Sequence, residues 1–305
     1  MREEHVDIEF ENVRLDRWLV QSGIVTSRRS AQHLIRDGQV RVNDRMLNKA
    51  TLLKAGDRVS IEGDIPSRDF VPVSNAELAL HVVYEDEWLV VIDKPADMPC
   101  HPLKPTDAHT LVNALVARYP QMLGVGYSPR ESGLVHRLDN DTSGLLLAAK
   151  DARTFGLLSE LLLGGEVTKH YLALCEGHVE APLDLALPLR PDPKNKRRMC
   201  VDAHAYDLST LRHGRILDSK RYGDYSLLKM SVGRAMRHQI RCHLAAIKHP
   251  IVGDTLYGGL STPGFDRHFL HAHHMCFVHP HTRETMSIQS PLPVECAKLL
   301  KLLEA

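Results

Sequence analysis

The sequence predicts an α+β protein built in two parts, and three observations carry that expectation. The chain of 305 residues is long enough for two domains at roughly 100–200 residues each. Hydrophobic residues at 43% and charged residues at 25% are ordinary globular proportions. β-rich runs and helical spacings follow one another irregularly, without the steady alternation that builds a doubly wound parallel sheet. The longest apolar runs, such as Leu145–Ala149 and Leu161–Leu163, fall far short of the ~20 residues a bilayer span needs. No apolar signal segment follows the acidic start Met1-Arg-Glu-Glu-His-Val-Asp7. Cys100, Cys175, Cys200, Cys242, Cys276 and Cys296 form no C-x-x-C pair. They read as scattered thiols in a reducing, cytoplasmic setting.

Taken in order, residues 12–21 have helical spacing, with Val13, Trp18 and Leu19 apolar and Arg14 and Arg17 polar, and Gly23 ends the run. Thr26 or Ser27 caps a second helix through Asp37, with Ala31, Leu34 and Ile35 as its buried stripe and Gly38 as its left-handed stop. Gln39–Val42, the turn Asn43-Asp44 and Met46–Leu47 read as a hairpin. Ala55-Gly56-Asp57 turns into a last strand, Arg58–Ile61. Residues 12–62 are thus expected to form one unit, 63–77 a linker, and 78–305 a second domain.

In the second part, Leu80–Tyr84 and Trp88–Asp93 read as strands around the turn Glu85-Asp86-Glu87. Thr110–Tyr119 is a helix stopped by Pro120, and Gly144–Ala149 a short apolar strand. Asp151 caps a helix that runs to Gly164-Gly165, and Tyr171–Cys175 is another strand. Met236–Ile247 and Val294–Leu303 complete the helices by spacing.

Positive charge is local. Lys plus Arg and Asp plus Glu are both 38, yet residues 12–62 hold ten basic and five acidic side chains. A second basic knot is Lys194-Asn-Lys-Arg-Arg198. A polyanion responds to such local fields rather than to the net charge.

The most informative stretch is His136-Arg-Leu-Asp-Asn-Asp-Thr-Ser-Gly144, a polar run leading into an apolar strand. Taken alone, it reads first as a turn whose Asp and Ser satisfy their own backbone. By composition alone, Tyr171 reads as strand packing and Arg241 as a solvated helix cation. His271, His274, Cys276 and His279 cluster in sequence, but their spacing fits neither H-E-x-x-H nor paired C-x-x-C ligands, so no metal site is expected.

His136-Arg-Leu-Asp-x-x-Thr-Ser-Gly resembles the signature of the RluA family of RNA pseudouridine synthases. Tyr84-Glu-Asp-Glu-Trp-Leu-Val-Val-Ile-Asp-Lys-Pro95 with His101-Pro102 is similar to the family's opening motif. Lys169-His-Tyr171 resembles its K-x-Y motif. His238-Gln-Ile-Arg-Cys-His243 with His249–Asp254 and Tyr257-Gly258 resembles its closing motif, and Leu270-His-Ala272 and His279-Pro280 its C-terminal pattern. The N-terminal block resembles an S4 RNA-binding domain. Four ordered motifs are far more specific than any one of them. Two places depart from the pattern. Ala235-Met-Arg237 stands before His238 in place of Gly-Arg-Thr, and Asp97 replaces a glycine, a position where Asp tolerates a positive φ better than most residues.

The resemblance implies a small S4-like domain followed by a mixed, mainly antiparallel catalytic domain. It implies the isomerisation of uridine in RNA, in which the N1–C1′ bond breaks, the base turns and C5 bonds to C1′. No atom is gained or lost, so no cofactor is expected. Asp139 is the implied essential carboxylate, adding to C6, attacking C1′ or assisting a glycal route. Burial favours its protonation, and the guanidinium of Arg241 is the implied counterweight. Tyr171 is implied to stack on the target uracil and is a candidate for proton transfer. Arg137 is implied to fill the gap left by the extruded base. Thr142, Ser143, Gly144 and His136 are expected to shape the loop.

RNA contacts are expected from Arg14, Arg17, Ser27, Arg28, Arg29, Gln32 and Arg36 in the S4-like block, and from a mobile finger bearing Lys194, Lys196, Arg197 and Arg198. Both suit loops and single strands better than base edges in a duplex. The expected partner is rRNA of the large subunit, free or in a ribosomal precursor, with no membrane or nucleotide cofactor and a monomeric chain. Other readings stay open: a tRNA-directed synthase, a catalytically silent S4-type assembly factor, or an aspartate-dependent hydrolase that binds RNA. The intact Asp139, Tyr171 and Arg241 set argues against the second, and the want of a paired carboxylate beside Asp139 against the third.

Overall fold

The computed structural model describes residues 2–25, 28–63, 70–202, 211–233 and 235–304, without the side chains of Arg28 and Arg29. It divides into two compact units, Met1–Val71 with Tyr127–Pro129, and the remainder.

The first unit contains β1 (Arg2–His5), α1 (Leu15–Gln21), α2 (Arg28–Arg36), β2 (Val40–Val42) and β3 (Arg58–Ile61). The strands form an antiparallel sheet in the order β1-β3-β2. Leu15, Trp18 and Leu19 from α1 and Ala31 and Leu34 from α2 pack with Val40, Val42, Val59 and Ile61. The spacing rule placed the buried faces of both helices correctly. It missed three things. β1 precedes residue 12 yet pairs with β3, so the unit's sheet starts ahead of the expected block. The first helix starts at Leu15, not Asn12. Asn12 N–H donates to Leu53 O at 2.8 Å and Leu53 N–H to Val13 O at 2.9 Å, which commits that segment to Leu53 instead of the helix. The expected hairpin is a turn only. Asn43 and Asp44 have φ of 48° and 64°, but beyond the Val42–Arg45 bridge the chain leaves, and β2 pairs with β3 instead of Met46–Leu47.

The second unit is built on β4 (Val82–Glu85), β5 (Leu89–Lys94), β6 (Ser143–Ala149), β7 (Thr168–Glu176), β8 (Leu183–Pro191), β9 (Met199–Val201), β10 (Leu211–Tyr222), β11 (Tyr225–Ser231), β12 (Leu270–Val278) and β13 (Thr285–Gln289). They make a 10-stranded sheet in the order β4-β5-β6-β12-β7-β11-β10-β8-β9, with β13 on β12. The β6–β12 pairing is parallel and the other pairings are antiparallel. This is the mainly antiparallel α+β architecture that the sequence implied.

Among the described residues, the α-helices that accompany the sheet are α3 (Leu111–Arg118), α4 (Ala152–Gly164), α5 (Gln239–Ala246) and α6 (Val294–Glu304). Alternate residues of a strand face opposite sides, and the core divides accordingly. Val90, Ile92, Leu146 and Ala148 pack with Leu111 and Leu115 of α3 and Leu299 of α6. Leu89, Val91, Leu145 and Leu147 pack with Phe155 and Leu158 of α4 on the other side. The ends of these helices follow the local chemistry. Asn113 Oδ1 accepts from the Thr110 backbone N–H at 2.9 Å and its hydroxyl at 2.6 Å. Asp151 accepts from Thr154 N–H at 2.9 Å, and Gly165 closes α4 with φ of 78°. The helix expected from Met236 starts instead at Gln239, because His238 takes a left-handed φ of 55°.

Gly144 fixes the parallel junction. Its φ is 111°, and a Cβ there would sit 2.3 Å from Ala272 O and 2.6 Å from Ala272 N. No larger residue lets β6 approach β12 so closely. Gly144→Ala is expected to destabilise the second unit by on the order of 3 kcal/mol through strain and backbone collision, read as a lowered urea midpoint with an unchanged m-value.

Candidate active site

Asp139 lies in a tight turn just before β6, closed by Thr142 N–H donating to Asp139 O at 3.1 Å. Each residue of that turn is pinned. Cys100 Sγ lies 3.2 Å from Leu138 O. Lys94, fully buried at the end of β5, sends its ammonium to Pro95 O, Met98 O and Asn140 O at 2.7, 2.9 and 2.9 Å. Burial pulls the Lys94 pKa down to about 8. Arg267 Nη1 donates to Asp141 O at 3.0 Å. Thr142 Oγ1 pairs with His268 Nε2 at 2.8 Å and Ser143 Oγ with His271 Nδ1 at 3.0 Å. His136 accepts from Leu147 N–H at 3.0 Å, and burial holds its pKa well below the ordinary value. It is a neutral brace for β6, whereas the sequence predicts that it shapes the loop.

Arg241 reaches this turn from α5. Its Nη1 lies 3.0 Å from Asp139 Oδ2, so residues 102 apart in sequence meet. The other edge of the guanidinium forms a fork on Asp254, with Nε to Oδ2 at 2.6 Å and Nη2 to Oδ1 at 2.8 Å. Burial opposes the Arg241 charge, but the hydrogen bonds and charge of Asp254, joined by those of Asp139, hold its pKa above the ordinary arginine value. The Tyr257 ring lies beside it, with Arg241 Cζ 5.1 Å from the ring centre. Asp254 and Arg241 side chains are 1% and 8% exposed, whereas that of Asp139 is 21% exposed, so Asp139 is the member of the trio that a ligand can touch.

An open cleft lies above Asp139, lined among others by Arg137, Tyr171, Met236, His238, Arg241 and Leu270. Burial first, and then the Asp139 charge, raise the Tyr171 pKa. Its hydroxyl therefore keeps its proton at neutral pH and does not start as a base. Arg137 stands at the rim, 54% exposed, with Nη1 3.0 Å from Glu131 Oε1. Thus Asp139, Tyr171, Arg241 and Arg137 all meet at one cleft. Motif reading gave no role to Lys94 or Asp254. Both lie inside quoted motifs, and the available signal was a charged residue directly after an apolar strand or a tight Gly253 turn.

The basic residues are placed as follows. Lys194, Lys196 and Arg197 are exposed on the turn between β8 and β9. Asp192 closes that turn, accepting from Lys194 N–H at 2.8 Å and Arg198 Nε at 2.7 Å. In the first unit, Arg17 and Arg36 are exposed. Arg14 and Gln32 instead turn to the buried Asp16, at 3.0 Å each, so their polar ends already have an internal partner. Ser27 lies outside the described residues, and so do the side chains of Arg28 and Arg29. Of the histidines considered for metal, His271 faces Ser143 and His279 lies 2.8 Å from Asp86. Among the described residues no group of three metal-ligating side chains is present, and no helix is long and apolar enough to cross a membrane.

A cleft on a mainly antiparallel sheet thus holds an accessible carboxylate bonded through one oxygen to a buried arginine, with a tyrosine beside it. Residues 88–246 match the RNA pseudouridylate synthase model and residues 13–59 the S4 domain model. The chain is 34% identical over 307 residues to ribosomal large subunit pseudouridine synthase D of Escherichia coli O157:H7, covering 96% of this chain and 91% of that one. It is 32% identical over 296 residues to the uncharacterized RNA pseudouridine synthase YlyB of Bacillus subtilis, covering 96% and 95%. Human RNA pseudouridylate synthase domain containing 1 superposes with a TM-score of 0.55 at 26% identity, over 74% of this chain and 95% of that one. The chain belongs to the RNA pseudouridylate synthase family and carries an S4 domain at its N-terminal end.

The Arg241–Asp254 fork makes a stability prediction. Asp254→Asn leaves a buried guanidinium short of one charge partner, at a cost of about 3 kcal/mol. The expected result is a clear drop in the urea midpoint, larger than that of Asp139→Asn, whose carboxylate is partly solvated. Equal drops would show that the fork is not the tighter contact.

Proposed function

We propose that the chain isomerises specific uridines of large-subunit rRNA, with Asp139 as the reacting carboxylate and no cofactor. The observation that carries this reading is the 3.0 Å contact of Asp139 with Arg241 at the floor of an open cleft. The reaction balances within the substrate. The N1–C1′ bond breaks, the uracil turns, C5 bonds to C1′, and the C5 proton leaves as N1 gains one. Asp139 supplies negative charge to C6, C1′ or a glycal route, and Arg241 keeps that charge available without swinging away, because Asp254 holds its other edge. Tyr171, protonated, offers a ring face to the uracil and a hydroxyl that donates. Arg137 is able to enter the gap left by the base, since its own side chain is 54% exposed, where an ion pair is weak.

The named E. coli relative supports the large-subunit target, and a tRNA target remains the second reading. The RNA-contacting set proposed is Arg17, Ser27, Arg28, Arg29 and Arg36 of the S4 domain with Lys194, Lys196, Arg197 and Arg198, joined by Arg14 and Gln32 if phosphate displaces them from Asp16. The protein is proposed to act as a monomer in the cytoplasm, on rRNA or its precursor particle. The proposed domain limits are 12–62, a linker at 63–77, and 78–305, with β1 as an added strand of the first.

Asp139→Asn is expected to abolish isomerisation while RNA affinity stays within about threefold, because the change removes one charge and no phosphate contact. Pseudouridine mapping of total RNA, from cells with the wild-type gene, the variant or a deletion, reads both the activity and the target. Persistence of every site in the variant would remove Asp139 from the chemistry. Arg17→Ala with Arg36→Ala is expected to weaken binding and to flatten the slope of log K against log salt by about 1–2. An unchanged slope would place these arginines off the RNA.

A further inference from the structure

One ring in the cleft has no part in the chemistry above. His238 has the left-handed φ of 55° at the start of α5, an uncommon backbone for a residue other than Gly, which Asn, Asp and His adopt more often than most. Its conformation is imposed by Gln239, whose side-chain oxygen accepts from Met236 N–H at 3.1 Å and whose amide donates to His213 O at 2.9 Å. Backbone strain of this kind persists where the surroundings over-determine it. The result is an imidazole with one nitrogen on each of two partners. Nδ1 lies 3.0 Å from Tyr257 Oη. Nε2 lies 3.8 Å from Asp139 Oδ2, the same oxygen that Arg241 contacts.

The hydrogen bonds assign the tautomer. Met199 N–H donates to Tyr257 Oη at 2.7 Å, so the phenol oxygen already accepts and its own proton points on to Nδ1. Nδ1 is then the acceptor and the ring proton sits on Nε2, toward the carboxylate. The opposite tautomer would aim a bare lone pair at Asp139. Burial, with the nearby Arg241 and Arg237 charges, lowers the His238 pKa against the opposing pull of Asp139 and Asp254, which favours the neutral ring.

We propose that Tyr257 and His238 form a relay that orients Asp139: Tyr257 fixes the proton on Nε2, and Nε2–H holds Oδ2 at the angle the reaction needs once RNA closes the remaining gap. His238 is a positioning residue in this scheme. It neither bonds to the base nor takes up the C5 proton. A neutral donor beside the carboxylate orients it and leaves the charge balance with Arg241 unaltered. The inference rests on Asp139 being the reacting carboxylate.

The test measures tritium release in single turnovers from large-subunit rRNA labelled with uridine tritiated at C5, together with RNA affinity. His238→Asn keeps a side chain at ease with the left-handed backbone and within reach of Tyr257, but too short for Asp139. It is expected to slow release about 10- to 100-fold, as misplacement of a reacting group does, with affinity within about twofold of wild type. His238→Gln, whose amide extends to the Nε2 position, is expected to recover most of the rate. Tyr257→Phe keeps the ring beside Arg241 and is expected to slow release in the wild-type background but not further in His238→Asn, since both act through one contact. A wild-type rate in His238→Asn, or an equal Tyr257→Phe effect in both backgrounds, would overturn the relay. Should His238→Asn not fold, Tyr257→Phe alone decides, a wild-type rate again overturning it. Asp139→Asn runs alongside. Release by wild type but not by Asp139→Asn, with unaffected relay variants, sinks the relay alone, whereas no release by wild type sinks the assigned reaction as well.

Discussion

The second unit depends on the arginine forked between two carboxylates. Arg241 is buried, and a buried cation is costly unless its donors are all engaged. Asp254 takes two of them in fixed, planar geometry, which leaves Nη1, on the other edge of the guanidinium, to donate to Asp139. The turn around Asp139 is held from the other side by Lys94, Cys100, Arg267 and His268. The contact of Asp139 with Arg241 therefore comes from the fold itself; on the proposed role of Asp139, a contact built in this way lowers the reorganisation cost at the moment of reaction.

What the sequence made legible follows from the range of the interactions involved. Local signals were sound. The Asp151 cap, the Gly165 stop, the buried stripe of α2 and the apolar strand β6 all lie where residue type and spacing put them. Asp97 does take a positive φ, of 59°. Signals that depend on distant partners failed. Val40–Val42 had two strands to choose from, and the register with Arg58–Ile61 won. The start of α1 was lost to backbone bonds with Leu53, and the start of α5 to the side chain of Gln239. The strands β8 and β10 went largely unread, because alternation is broken in both: β10 buries only Gly214, Ile216 and Tyr222, and β8 leaves Leu183 and Ala186 exposed.

The site divides in the same way. Asp139, Tyr171, Arg241 and Arg137 were named from motifs, and all four line the cleft. Motifs give residue types in order, not the hydrogen bonds between them. Asp254, Lys94 and Tyr257 were quoted in motifs, yet their work is visible only once carbonyls and carboxylates from other segments are beside them. Arg14 and Gln32 show the converse. A basic, polar helix surface reads as a binding face, but Asp16 engages both.

Charge around the cleft is layered: two carboxylates share one guanidinium at the floor, only Asp139 of the three is accessible, the ammonium of Lys94 lies buried behind its turn, and Arg137 stands half exposed at the rim. On the proposed function, a phosphate that slid inward would come up against the exposed carboxylate of Asp139, and an uncharged nucleobase would not. In that reading the cavity sorts the parts of a nucleotide by depth, leaving its backbone outside and admitting its heterocycle.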